Sequence, residues 1–140
     1  MLDSIAIQLI EPAVKHVAKR LQATGITAIQ ISLIGFAIGL VAAMCIAFNE
    51  FIFGLIFILI SRLLDALDGA VARLNQATDA GGFLDICLDF IFYASIPLAF
   101  AFANQNQNSL AAAVLLFCFI GTASSFLAFA ILAQKHQLSN

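Results

Sequence analysis

Charged residues are scarce in this 140-residue chain: Lys, Arg, Asp and Glu make up only 10% of it, against 63% hydrophobic residues. A soluble domain usually carries about a quarter charged residues, and a chain this poor in polar surface would expose large apolar patches in water. A bilayer removes that difficulty, and the mean hydropathy of +1.06 agrees. Basic residues are scarcer still. The chain has six Lys and Arg in total, too few for the basic footprint of a nucleic-acid partner. Paired cysteines are missing: Cys45, Cys87 and Cys118 each sit in an apolar run and form no CxxC pair. They read as small buried hydrophobes, with no support in spacing for a disulfide or zinc role. A cleavable leader is not expected either. The first twenty residues hold Asp3, Glu11, Lys15, Lys19 and Arg20 and lack a continuous apolar core. Internal repeats and low-complexity linkers are absent, so residues 1–140 are expected to form one membrane domain.

What the chain does have is long apolar stretches. Residues 1–22 predict an amphipathic helix, because Leu2, Ile5, Leu9, Ile10, Val14, Val17 and Leu21 recur at three- and four-residue intervals while Lys15, His16, Lys19 and Arg20 cluster near its end. Such a helix can lie in the membrane interface with its basic side toward anionic headgroups; the alternative is a helix packed on a partner. Four apolar segments follow, at 26–48, 51–74, 81–103 and 110–133. A span needs about twenty residues, so all four are expected to be transmembrane, and the fold class is all-α integral membrane. The connections are short and polar: Asn49-Glu50, Asn75 to Ala80 and Asn104 to Ser109. Lys15, Lys19, Arg20, Arg73, Lys135 and, by its position, Arg62 all belong to one side of that arrangement. The positive-inside rule makes that side cytoplasmic, with both termini on it.

Five of the eight acidic residues fall between positions 65 and 89: Asp65, Asp68, Asp79, Asp85 and Asp89. Four of these lie on expected membrane helices, where carboxylates are expensive and therefore functional candidates. Asp65 and Asp68 are three residues apart and share a helix face; Asp85 and Asp89 are four apart and share another. The short connection makes the two helices antiparallel neighbours, with both pairs at similar depth. Four ionised carboxylates so close would repel strongly, so either some are protonated or cations hold them together. Oxygen-only donors favour hard divalent ions, Mg²⁺ typically sharing its shell with substrate phosphates. Ala70, Ala72 and Ala80 are small, Gly69 follows Asp68 directly, and Gly81-Gly82 opens the next helix. These positions allow either a ligand or a neighbouring helix to come close. Arg73 suits a phosphate or a snorkelling anchor. Intramembrane carboxylates also occur in ion- or proton-coupled transporters and can hold a partner subunit. Here, however, all four lie toward one side, and neither alternative accounts for Gly69, Arg73 and the full spacing.

The stretch Asp65-x-x-Asp68-Gly69-x-x-Ala72-Arg73, seven intervening residues, then Gly81-x-x-x-Asp85-x-x-x-Asp89 resembles the signature of the CDP-alcohol phosphatidyltransferase family at all eight of its defining positions. The resemblance implies transfer of a phosphatidyl or related substituted phosphate group from a CDP-linked donor, CDP-diacylglycerol first among them, to an acceptor alcohol, with release of CMP. It implies a Mg²⁺ or Mn²⁺ cofactor held by Asp65, Asp68 and Asp85. Asp89 is implied as the general base and a further metal contact. Gly69, Arg73, Thr78 and Gly81 are implied as donor contacts. A weaker similarity lies earlier, where Thr27, Ser32 and Gly35 match a family segment of the type T-P-N-x-x-T-x-x-G but Ala28 and Ile29 replace its Pro and Asn. A plain helix start capped by Thr27 is the simpler reading there. The family fold has six transmembrane helices, against four expected here, so further helices, another chain or a homodimer are expected to complete the cavity. A phosphorylated acceptor would want more cationic groups than Arg73, Arg62 and Lys135 supply, which favours an uncharged or zwitterionic acceptor.

Overall fold

The computed structural model describes residues 2–75 and 78–136, and within the first helix the side chains of Pro12 and of residue 14 onward. The expected interfacial contacts of Leu2, Ile5, Leu9 and Ile10 and the polar tail at 137–140 lie outside what is described. Five α-helices follow in order: α1 Leu2–Ala23, α2 Ala28–Ala47, α3 Phe51–Leu74, α4 Asp79–Ala103 and α5 Gln105–Lys135.

Each boundary has a local cause. The α1–α2 turn passes through Gly25 at φ 81°, a left-handed conformation that strains any residue with a Cβ. Thr27 starts α2 with a capping box: its side chain accepts from the Gln30 backbone N–H, and the Gln30 side chain accepts from Thr27 N. Thr78 starts α4 in the same way, accepting from Gly81 N at 3.1 Å, so that helix begins at Asp79, two residues before the expected position. The largest departure is at α5. The polar run 105–109, expected as a loop, is its first turn, because Asn104 accepts from Gln107 N at 3.2 Å and nucleates the helix there.

α2 is the hub. Its buried stripe of Ile31, Gly35, Gly39, Ala42, Ala43 and Ile46 is dominated by small residues. Small residues let helices approach closely where no hydrophobic drive joins them. A Cβ on Gly39 would lie 2.6 Å from the Phe92 ring of α4 and 3.0 Å from Ser61 Oγ of α3, so this one glycine admits both neighbours. Ser61, fully buried, donates to the Gly35 carbonyl at 2.8 Å and ties α3 to α2. α3 runs antiparallel to α2, and α4 antiparallel to α3, as the stacked rings of Phe51 and Phe100 at the far end require. The expected neighbour relation of α3 and α4 needs correcting in one respect. Both pack on α2, and among the described residues their backbones do not pack on each other. The space between them is bridged by side chains such as Arg62 and Asp89.

Val14 and Ala18 of α1 pack with Ile31, Leu67, Ala70 and Val71, and Gln22 donates to Asn75 Oδ1 at 2.6 Å. α1 is therefore docked along the C-terminal half of α3, while Lys15, His16, Lys19 and Arg20 face outward. α5 packs on α4 through edge contacts such as Phe90 with Phe126, and leaves Leu110, Phe117, Ile120 and Ile131 exposed. Ala28–Ala47, Asp79–Ala103 and Gln105–Lys135 are long and apolar enough to cross a membrane. With this outward apolar surface, the chain is an all-α membrane protein. α3 has the length of a span, but Arg62, Asp65, Asp68 and Arg73 keep it outside that hydropathy class.

Candidate metal and phosphate site

α3 carries Arg62, Asp65 and Asp68 on successive turns of one face, and α4 carries Asp85 and Asp89 on the facing side. At 1.5 Å per residue, Asp68 and Asp85 both lie about 9 Å from the adjoining ends of their helices, and Asp65 and Asp89 about 14 Å. The antiparallel arrangement thus lines the pairs up in depth, above a floor formed by Ser32, Gly35 and Phe36 of α2.

One carboxylate oxygen from each of Asp65, Asp68 and Asp85 lies within 4.8 Å of the other two. Two oxygens bound to a single Mg²⁺ stand about 3–4 Å apart, given bond lengths of about 2.1 Å, so a small closure brings the three onto one ion. Asp68 is only 4% exposed, and its Oδ2 is buried without a hydrogen-bond partner among the described residues. A buried carboxylate oxygen left unpaired is strongly unfavourable. A hard cation at the convergence point would satisfy it, and an all-oxygen donor set suits Mg²⁺ or Mn²⁺.

Asp89 is not one of those three, but it shares a cation with one of them. Its Oδ1 accepts from Arg62 Nη1 at 2.8 Å, while the same nitrogen lies 3.6 Å from Asp65 Oδ1. The Arg62 guanidinium sits over the Phe92 ring, 4.1 Å from its centroid, with Tyr93 at 5.6 Å. From the sequence, Arg62 is expected to mark the cytoplasmic side and to offer a spare cation for an acceptor. The structure commits it to two aspartates, and the available signal was its three-residue spacing from Asp65.

The remaining expected donor contacts lie toward the helix ends, outside the cleft lining. Gly69 and Arg73 are neighbours on α3: a Cβ on Gly69 would meet Arg73 Nη1 at 3.4 Å. Thr78 and Gly81 are joined by the α4 cap, with Thr78 and Arg73 exposed. None of these four is among the residues lining the cleft; they lie toward the end where α3 stops and α4 starts.

A family model described as CDP-alcohol phosphatidyltransferase matches residues 21–140. The chain is 51% identical over 140 residues to the inner membrane protein YnjF of Escherichia coli (strain K12), an alignment covering all of this chain and 68% of that protein. It is 37% identical over 97 residues to the archaetidylinositol phosphate synthase of Pyrococcus horikoshii, covering 69% of this chain and 51% of that one. No solved structure matches. The aspartates that converge between α3 and α4 are those of the signature, and the family match runs over all four helices that form and flank the cleft: the chain belongs to the CDP-alcohol phosphatidyltransferase family.

Proposed function

We propose that this protein transfers a phosphatidyl or related substituted phosphate group from a CDP-linked donor, with CDP-diacylglycerol the first candidate, to an acceptor alcohol. The observation that carries the reading is the convergence of Asp65, Asp68 and Asp85, with one buried Asp68 oxygen that has no hydrogen-bond partner among the described residues. Asp65, Asp68 and Asp85 would hold Mg²⁺ or Mn²⁺, which when bound neutralises the pyrophosphate and the departing phosphate. Asp89 takes the proton from the acceptor hydroxyl. The acceptor oxygen bonds to the phosphorus bearing the lipid alcohol. The bond from that phosphorus to the bridging oxygen breaks, CMP leaves, and the proton passes from Asp89 to solvent. Gly69, Arg73, Thr78 and Gly81 bind the donor: the glycines leave room for it, and Arg73 offers a planar fork to phosphate oxygens.

In this reading α3 is a fourth crossing beside the three apolar helices. Its 24 residues reach about 36 Å at 1.5 Å each, and Arg62, Asp65 and Asp68 face the cleft rather than lipid. All six basic residues then fall at the cleft end, which is assigned to the cytoplasm together with both termini. Residues 1–140 act as one domain, α1 included, because Val14 and Ala18 pack into the α2–α3 core. The similarity to an archaetidylinositol phosphate synthase returns a phosphorylated polyol to the acceptors worth testing, beside the uncharged and zwitterionic alcohols favoured by charge.

The test is CMP release by protein in nanodiscs supplied with CDP-diacylglycerol, Mg²⁺ or Mn²⁺ and a panel of acceptors. Release that requires the metal, stops with chelator and responds to one acceptor is expected. No release with any acceptor, together with no metal-dependent donor binding, would overturn the reading.

A further inference from the structure

Asp85 and Asp89 lie one turn apart on the same face of α4, so their spacing alone does not distinguish them. Their environments do. An oxygen of Asp85 joins those of Asp65 and Asp68 within 4.8 Å, whereas Asp89 is drawn to Arg62 at 2.8 Å. We propose that Arg62 is a positioning residue that pairs with Asp89 and keeps its carboxylate off the ion while bridging it to Asp65, so that three aspartates serve the ion and the fourth serves the acceptor hydroxyl. This rests on the transferase reading for what Asp89 does, but not for where Arg62 holds it.

Two observations support the assignment. Arg62 is the one cationic side chain among the described residues lining the cleft, which otherwise presents four carboxylates. An isolated pair of cationic and acidic side chains on a surface would be mobile and weak, but Arg62 is clamped. Its flat guanidinium lies on Phe92, and its Nη2 is 3.5 Å from Ser61 Oγ, whose own hydrogen bond to the Gly35 carbonyl fixes it to α2. Cation–π stacking and a planar fork are properties of arginine that lysine does not reproduce. Arg62 meets Asp89 through Oδ1, which makes Oδ2 the oxygen assigned to the hydroxyl proton.

The test combines Mn²⁺ titration followed by electron paramagnetic resonance with CMP release from CDP-diacylglycerol, using Arg62→Gln and Arg62→Lys, each alone and with Asp89→Asn. Arg62→Gln is expected to lower kcat about ten- to a hundredfold, the scale of a misplaced base, with the donor KM within about threefold. It is also expected to bind Mn²⁺ about tenfold more tightly, since a nearby positive charge is gone and a fourth carboxylate is released to the ion. Both effects should shrink on the Asp89→Asn background, where kcat falls no more than about twofold further, as a coupled pair demands. Arg62→Lys should keep Mn²⁺ affinity near wild type and recover only part of kcat. A gain in Mn²⁺ affinity that is the same in both backgrounds, a loss of affinity, or a full further loss of kcat on Asp89→Asn would each overturn the proposal. If Arg62→Gln does not fold, Arg62→Lys decides alone, with unchanged kcat the overturning result. If wild type releases no CMP, the transferase reading fails while the Mn²⁺ titrations still decide whether Arg62 holds Asp89 off the ion.

Discussion

The two halves of α3 follow different rules. From Phe51 to Ile60 the helix has no charged residue, and Ile52, Phe53, Leu55 and Leu59 are exposed on its outside. Its contacts there include a stacked ring pair with Phe100, the seat of Gly54 against Ile46 and the packing of Ile58 on Ala43, Ile46 and Ala99. From Ser61 to Leu74 the helix carries Arg62, Asp65, Asp68 and Arg73, and four of its residues besides Ser61 are buried: Leu67, Asp68, Ala70 and Val71. The first half needs only to be apolar and to fit; lipid is an indifferent neighbour to such a surface. The second half must keep carboxylates in a poorly solvated place, which demands α1 packed behind it, Ser61 tied to α2, and counter-charges in front.

The comparison can be broken at four points. Asp68→Asn, in the charged half, replaces the buried carboxylate proposed to hold the metal and should reduce CMP release by more than about a hundredfold while weakening Mn²⁺ binding, since a ligand matters at least as much as the residues that orient it. Turnover within tenfold of wild type would separate the buried aspartate from the chemistry. Asp89→Asn should lower kcat about 10²- to 10⁴-fold, the range of a general base, and leave donor binding within a few fold. A donor affinity that collapsed with it would instead make Asp89 a binding residue.

Gly39→Ala probes the seam between the halves. The new Cβ would press on Phe92 at 2.6 Å and on Ser61, so a loss of about 1–3 kcal/mol is expected from overpacking, read as a lower thermal midpoint in micelles. Because Phe92 also supports Arg62, turnover should fall with it. Ile52→Leu, in the apolar half at 76% exposure, should change stability by less than about 0.5 kcal/mol and leave turnover alone; a large effect would mean that this face meets a protein partner rather than lipid.

The extent of α3 was readable to the residue, because a Phe-rich run begins at Phe51 and a polar stretch ends the helix after Leu74. The start of α5 was not. Asn104 to Ser109 look like a loop when judged by polarity, and only the cap made by Asn104 shows that the helix begins at Gln105. At the site, spacing was enough to pair Asp65 with Asp68 and Asp85 with Asp89. It was not enough to separate Asp89 from Asp85, because that depends on Arg62, 27 residues away and on another helix.

By itself the sequence determined an all-helical membrane chain, the eight-position signature and the family it points to, because helix periodicity, apolar run length and fixed spacings are local properties. Only the tertiary structure decided that α2 stands as the hub between α3 and α4, that three carboxylates meet while the fourth is held by an arginine, and that α1 packs onto α3. Those outcomes depend on how closely helices approach at Gly39 and on which side chains then face each other across the gap. Contact distances between remote segments set both, and no local spacing encodes them.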